Sequence, residues 1–294
     1  MSAILILSIL VSNVGTGAGQ TIFSHLQLPL GARADGMGEA YSAIAEDATA
    51  GWWNAAALSH LESTQYAFSH CSHFQGMTLD YLGLATGFGG NGIGFGILTF
   101  SSGELEYREK ATQEPLGSFN MIALHPMVSY GRAIDPELSL GFSLIGLYEK
   151  AYTDEVAGLA LNGGILYYPE FLKDLSVAAV FQNFGLKLGF KEITYPLPFR
   201  AKLGMGYHLD LDEFGVILGG DYVWPAFSEY KVHTGIELDY RSLIFVRGGY
   251  KWGYDTQRLS FGLGIAHRGI AFDYAYTPYR ETGASHKVSL LFSP

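Results

Sequence analysis

The stretch Leu259-Ser260-Phe261-Gly262-Leu263-Gly264-Ile265 decides the fold, because its apolar side chains fall on every second residue with only serine and glycine between them. A period of two belongs to an extended strand with one greasy face and one small or polar face. Working outward, Ile270, Phe272, Tyr274 and Tyr276 alternate with Ala271, Asp273 and Ala275, and Val288, Leu290 and Phe292 alternate with Lys287 and Ser289. The same period runs back to about Thr64. A soluble sandwich would alternate in the same way, so the charges must say which face is wet. Arg200, Lys202, Asp221, Glu237, Asp239, Arg247, Asp273 and Lys287 all lie on the phase opposite the apolar residues. The apolar phase is wide and aromatic, as in Phe214, Val216, Leu218, Tyr222 and Trp224. A charge facing lipid near the midplane costs about 2 to 4 kcal/mol, so an apolar exterior around a charged lumen reads as an all-β, transmembrane antiparallel β-barrel.

Strands are predicted to start near Thr64, Met77, Gly92, Ser118, Leu138, Ala157, Leu175, Leu197, Phe214, Tyr230, Ser242, Gln257, Gly269 and Ser285. That is about fourteen strands, the even count that outer-membrane barrels favour. Tight connections are expected at residues 87–91, 134–137, 169–174, 210–213, 240–241 and 267–268. Longer ones fall between them, at 72–76, 101–117, 149–156, 185–196, 225–229, 252–256 and 278–284. Short periplasmic turns alternating with longer external loops produce this pattern. Tyr and Trp near strand ends, among them Tyr168, Tyr222, Trp224, Trp252 and Tyr279, are expected to form interfacial girdles.

Composition agrees. Glycine stands at 38 residues, Tyr and Phe at 19 each, and only 16% of residues are charged, whereas glycine is near 7% in an average protein. The net charge of -10 and the lack of any Lys/Arg run exclude a nucleic-acid partner and leave outer-membrane lipid as the expected surroundings. The single cysteine, Cys71, excludes a disulfide framework and a Cys-cluster metal site. Residues 4–11 (ILILSILV) are too short for a membrane helix and lead into Gly15, Gly17, Ala18 and Gly19. They read as a signal peptide over residues 1–19, although only the α-amino group supplies the usual positive charge; a short buried segment of the mature fold is the other reading. No later stretch nears the roughly 18 apolar residues of a spanning helix. Residues 20–62 then form an N-terminal hatch and residues 63–294 the barrel. Within the hatch, Glu46-Asp47-Ala48-Thr49 precedes an Ala- and Trp-rich stretch to Leu58 that reads as one or two helical turns with Asp47 as cap, small enough to sit inside a lumen.

Motifs for chemistry are weak. Gly87-Phe88-Gly89-Gly90-Asn91-Gly92 matches a dinucleotide fingerprint by letter, but strands flank it, so it reads as a hairpin turn with positive φ at Asn91-Gly92. Asp210, Asp212 and Glu213 lack the remaining ligands of a calcium loop. His70 and His73 lie outside any H-E-x-x-H helix, and His286 and Ser289 fall on opposite phases of one strand, so neither a zinc site nor a Ser/His pair is supported. The expectation is a non-enzymatic protein with no cofactor and no metal.

The string Leu30-Gly31-Ala32-Arg33-Ala34-Asp35-Gly36-Met37-Gly38-Glu39-Ala40-Tyr41, with Glu46-Asp47-Ala48 and Trp52-Trp53-Asn54-Ala55-Ala56-Ala57-Leu58 after it, resembles the N-terminal signature of the PorV/PorQ family, G-A-R-A-x-G-M-G-x-A-[FY], D-D-A and W-N-P-A-x-L. Phe272-Asp273-Tyr274-Ala275-Tyr276 and His286-Lys287-Val288-Ser289-Leu290 resemble that family's closing hairpin. Ala55 stands where the family has proline, and Phe292 is followed by Ser293 and Pro294 rather than ending the chain. The family is similar to the fourteen-stranded FadL group. The resemblance implies a luminal hatch held to the wall by Arg33, Asp47, Trp53 and Asn54. It also implies a task like that of PorV, in export or surface attachment of proteins by a type IX secretion route, with secreted cargo or other secretion components as partners.

Two other expectations stand beside it. One is a FadL-like passive transporter of a hydrophobic ligand through a lateral wall opening, for which the glycines of residues 92–96 suggest a kink. The other is a structural barrel with a sealed lumen. The external loops are short, and residues 103–117, with Glu104, Glu106, Arg108, Glu109 and Lys110, are the candidate partner loop.

Overall fold

The computed structural model describes residues 21–108, 114–190, 193–280 and 282–294. The signal-peptide reading of residues 1–19, and Glu109 and Lys110 of the candidate partner loop, lie outside the described residues. Fourteen antiparallel strands close into one barrel, each paired with its sequence neighbours and β1 with β14. They are β1 (Gln65–Ser72), β2 (Thr78–Phe88), β3 (Asn91–Tyr107), β4 (Gly117–Ala133), β5 (Leu138–Ala151), β6 (Asp154–Tyr167), β7 (Leu175–Phe184), β8 (Arg200–Leu211), β9 (Phe214–Pro225), β10 (Lys231–Tyr240), β11 (Ile244–Trp252), β12 (Leu259–His267), β13 (Ile270–Tyr279) and β14 (Gly283–Phe292). The seam that closes the barrel pairs Tyr66 with Phe292 and Ser72 with His286. The predicted starts agree closely; the largest displacements are Ala157 against Asp154 and Leu197 against Arg200.

The alternation sorts as the charges require. Leu82, Met205, Leu263 and Ile265 stand on the outer surface, while Arg200, Lys202, Asp221, Glu237, Arg247 and Lys287 are buried in the lumen. No helix among the described residues is long and apolar enough to cross a membrane; the strands do so, and the chain is an integral outer-membrane β-barrel. A strand needs about 9–11 residues to cross, so the 17-residue β3 and β4 project beyond the bilayer on the external side.

Five expectations need correction. The connection expected at 101–117 contracts to 108–116, because β3 and β4 stay paired to Tyr107 and Gly117, so Glu104 and Glu106 of the candidate partner loop stand in β3. The β2–β3 turn places its positive φ angles at Gly89 and Gly90, not at Asn91-Gly92, because Asn91 already pairs with Phe88. The connection expected at 149–156 contracts to Tyr152 and Thr153, since β5 and β6 stay paired to Ala151 and Asp154; Tyr152 takes a left-handed φ of 55° there. Pairing of β13 with β14 likewise continues to Tyr279 and Gly283. Finally, Tyr168 and Tyr279 do not join the girdles: Tyr279 is buried against Phe74 and His73, and Tyr168 packs its ring on His60.

Residues 21–64 fold inside the lumen. They contain α1 (Ala32–Gly36), α2 (Ala50–Trp53) and a 3-10 turn at Ala55–His60. The sequence showed only the second and third of these. Asn54 interrupts them in an extended conformation, and its side chain accepts the Ala56 N–H at 3.1 Å. Alanine and glycine permit this density. A Cβ at Gly92 would overlap the Leu58 carbonyl, and one at Gly141 would overlap the Ala55-Ala56 peptide, so wall and hatch meet backbone to backbone.

Candidate functional site

The hatch is seated on the β8–β14 arc by buried charges. Arg33 grips Glu237 bidentately, Nε to Oε2 at 2.9 Å and Nη2 to Oε1 at 2.8 Å, and reaches the half-exposed Glu46 at 2.5 Å. Arg247 donates to the same Glu237 and, at 2.5 Å, to Asp273. Asp35 faces Lys287 at 3.2 Å and accepts from Thr277 at 3.1 Å. Lys251 joins Glu39 at 2.8 Å and Gln257 at 3.1 Å. Burial alone would raise the Glu39 carboxyl, but Lys251, His233 and Arg200 around it hold it down at about 2. Ser42 donates to Asp221 at 2.6 Å. A buried ion pair is a weak source of net stability, yet removing one partner strands the other charge; such pairs therefore fix register.

The residues singled out from sequence are distributed as follows. Arg33 reaches the wall. Asn54 donates to Ile165 O of β6 at 3.2 Å and to Ser42 O at 3.0 Å. Trp53 bonds inside the hatch, to Leu30 O at 3.0 Å, and meets the wall through Lys202, whose ammonium lies 4.7 Å from its ring centre. Lys202 also stands 3.7 Å from Asp221, and Arg200 donates to Gln182, which in turn donates to Trp52 O, each at 2.7 Å. Asp47 does not link hatch to wall: its carboxylate accepts from Thr49 N–H at 2.7 Å and from Tyr41 OH at 3.0 Å, bracing the hatch internally. Asp239 keeps the inward phase but sits at the periplasmic rim, accepting from Ser242 N–H at 2.8 Å. Sequence reasoning missed Asp35, Glu39, Lys251 and Gln182. Lys251 was visible in principle, four residues from Arg247 and in phase with it.

The other arc is different. Wall serines serve hatch carbonyls, as in Ser143 to Gly51 O at 2.6 Å and Ser176 to Ala43 O at 2.8 Å. Above them, residues 22–28 cross the external half of the lumen with Phe23, His25 and Leu26 buried. Burial first, and the facing His125 second, hold the His25 imidazole well below the usual histidine range.

Two further features concern the lumen and the wall. A cavity of about 150 Å³ lies between hatch and wall at the periplasmic end, lined by Leu30, Ala67, Phe245 and Ala271 with Arg33 and Arg247. In the wall itself, β6 and β7 pair only as far as Leu161 and Phe184, with a register shift between Leu161 and Gly163. Beyond that point the external half of β6 pairs with β5 but not with β7. Instead Leu188 of the 185–199 connection rests against Gly158, and Pro196 O accepts the Ile22 N–H at 3.1 Å. Residues 92–96, where a kink was expected, pair without interruption to both β2 and β4; the discontinuity lies three strands away. Among the described residues no group of three or more His, Cys, Asp or Glu is placed to hold a metal.

A family model described as an uncharacterised protein family, UPF0164, matches residues 8–129, less than half of the chain. No curated protein sequence matches. Among solved structures, the CymD monoaromatic hydrocarbon channel superposes with a TM-score of 0.66 at 13% identity, covering 90% of this chain and 97% of that one. The P. putida toluene transporter TodX gives 0.65 at 13% identity, covering 90% and 98%. A Pseudomonas aeruginosa FadL homologue gives 0.56 at 10% identity, covering 90% and 99%. The chain thus has the fold of FadL-like outer-membrane channels.

Proposed function

We propose that this barrel is a non-enzymatic, passive channel for small hydrophobic molecules, which leave its lumen sideways into the membrane between β6 and β7. The carrying observation is the external half of β6, which pairs with β5 but has no β7 partner, so that on that side the 185–199 connection meets it through side chains such as Leu188 and not through a backbone ladder. Parting side chains breaks no backbone ladder, whereas opening any fully paired seam would expose several peptide groups to hydrocarbon, each at a cost of several kcal/mol. Two of the structural neighbours are named as a monoaromatic hydrocarbon channel and a toluene transporter. Direct passage to the periplasm is disfavoured by the Arg33–Glu237–Arg247–Asp273 network across that end.

The type IX export reading rests on the resemblance of residues 30–58 to PorV proteins. Those residues are already engaged in seating the hatch, which accounts for their presence without a cargo. One experiment separates the two readings. Cells carrying the barrel, or lacking it, are compared for toluene uptake and for the secreted proteome. Faster uptake with the barrel and an unchanged proteome supports the channel. Unchanged uptake with loss of a set of surface proteins overturns it in favour of export.

A further inference from the structure

The external half of the lumen holds three buried titratable side chains that the passage reading does not use. His25 Nε2 meets His125 Nε2 at 2.7 Å, His125 Nδ1 meets Gly146 O at 3.2 Å, and His25 Nδ1 faces Glu149 Oε2 at 3.6 Å. The His25 ring is stacked on Phe100 with centroids 4.6 Å apart. All three groups are at least nine-tenths buried.

The bonding order follows from one fixed end. A carbonyl only accepts, so His125 Nδ1 carries a hydrogen, and the Nε2 of the neutral ring is a bare acceptor. His25 Nε2 must then be the donor, which leaves His25 Nδ1 as a lone pair turned toward the Glu149 carboxyl. A lone pair and a carboxylate facing each other away from water repel, unless one proton lies between them, on the carboxyl or on the ring. Among the described residues, the charged groups around the cluster are few. From the hatch segment only His25 faces the cluster. From β3 comes the Phe100 ring, from β4 His125, from β5 Glu149, and from β6 Val156, with Asp154 further out toward the rim; Lys150 and Glu155 lie on the outward phase.

We propose that Glu149, His25 and His125 form a one-proton clip that fastens residues 22–28 across the external half of the lumen, and that loss of this proton frees the segment. The clip regulates the route of the proposed channel, and to that extent it rests on the channel reading; the clip itself holds whatever the barrel carries. Its contact with the seam is direct, because Ile22 is bonded to the 185–199 connection. A freed segment 22–28 gives up this bond to the connection that lies against β6.

The test uses the full barrel in detergent with a nitroxide on Ser24→Cys in a Cys71→Ser background and no ligand present. Raising the pH from mildly acid to alkaline converts an immobile probe to a mobile one, with the mobile-to-immobile ratio rising about tenfold per pH unit, the slope of a single proton. In Glu149→Gln the amide N–H donates permanently where the proton sat, so the probe stays immobile across the same range. A wild-type probe indifferent to pH, or a Glu149→Gln probe that follows wild type, overturns the clip. If Glu149→Gln does not fold, the ring nitrogen shifts of His25 and His125 in the unmutated barrel decide instead: both move together over one single-proton titration, and independent titrations contradict the proposal. Toluene uptake measured separately keeps the channel distinguishable, since a clip can titrate in a barrel that transports nothing.

Discussion

Residues 32–42 and residues 22–28 occupy the same lumen but are held in opposite ways. The first segment is fastened to the β8–β14 arc by Arg33–Glu237, Asp35–Lys287, Glu39–Lys251 and Ser42–Asp221. Every one of these would strand a buried charge if broken. The second segment lies against β3 and β4 through aromatic packing and one imidazole pair, with Glu149 of β5 facing His25. The difference separates a permanent plug from a releasable strap. It also places the releasable part beside the external half of β6, which pairs with β5 but not with β7.

The comparison breaks most easily at Glu237. Glu237→Leu leaves Arg33 and Arg247 buried without their shared partner, at a cost of about 3–5 kcal/mol, and the heat-modified gel band of the barrel should convert at a clearly lower temperature; an unchanged conversion temperature would mean that the charged arc does not seat the hatch. Gly141→Val drives a side chain into the Ala55-Ala56 backbone. Overpacking of this kind costs about 1–3 kcal/mol or more, so protease should cut the hatch of this variant while sparing the barrel. Acid should loosen the first segment through Glu39. Its carboxyl is depressed from 4.5 to about 2, so its stabilisation is complete above pH 4.5 and is lost as the pH falls toward 2. A spin label on residue 40 should become mobile in that window, and one that moves only above neutrality would reverse the assignment. Asp47→Ala, which removes a brace internal to the hatch, should cost about 1 kcal/mol in thermal unfolding and leave the position of residues 22–28 unchanged.

Most of the wall was legible because lipid and lumen impose opposite requirements on alternate residues. No position such as Lys202 or Glu237 could face outward without a heavy cost, and Leu263 gains nothing by facing in. Turn chemistry was less legible. Gly89-Gly90 and Asn91-Gly92 satisfy the same positive-φ rule, and only the pairing of Asn91 with Phe88 chooses between them. Tyr152 and Thr153 make a two-residue turn that no glycine announces. The hatch contacts were least legible, because partners such as His25 and His125, or Glu39 and Lys251, meet only after the register of many strands is set. Arg33 was found through its family string, whereas Asp35 and Glu39 stand in the same string without a local pattern that names their partners. The half of β6 that lacks a β7 partner left no mark on the alternation, since Leu159 and Leu161 read as ordinary lipid-facing residues.

The central claim is that hydrophobic molecules leave through the β6–β7 seam, and a reversible staple tests it most directly. Gly158→Cys and Leu188→Cys place two thiols at the contact that closes the seam, and toluene uptake is measured in the oxidised and the reduced protein. The account predicts that the oxidised barrel loses the uptake that reduction restores; equal uptake in both states would place the route elsewhere.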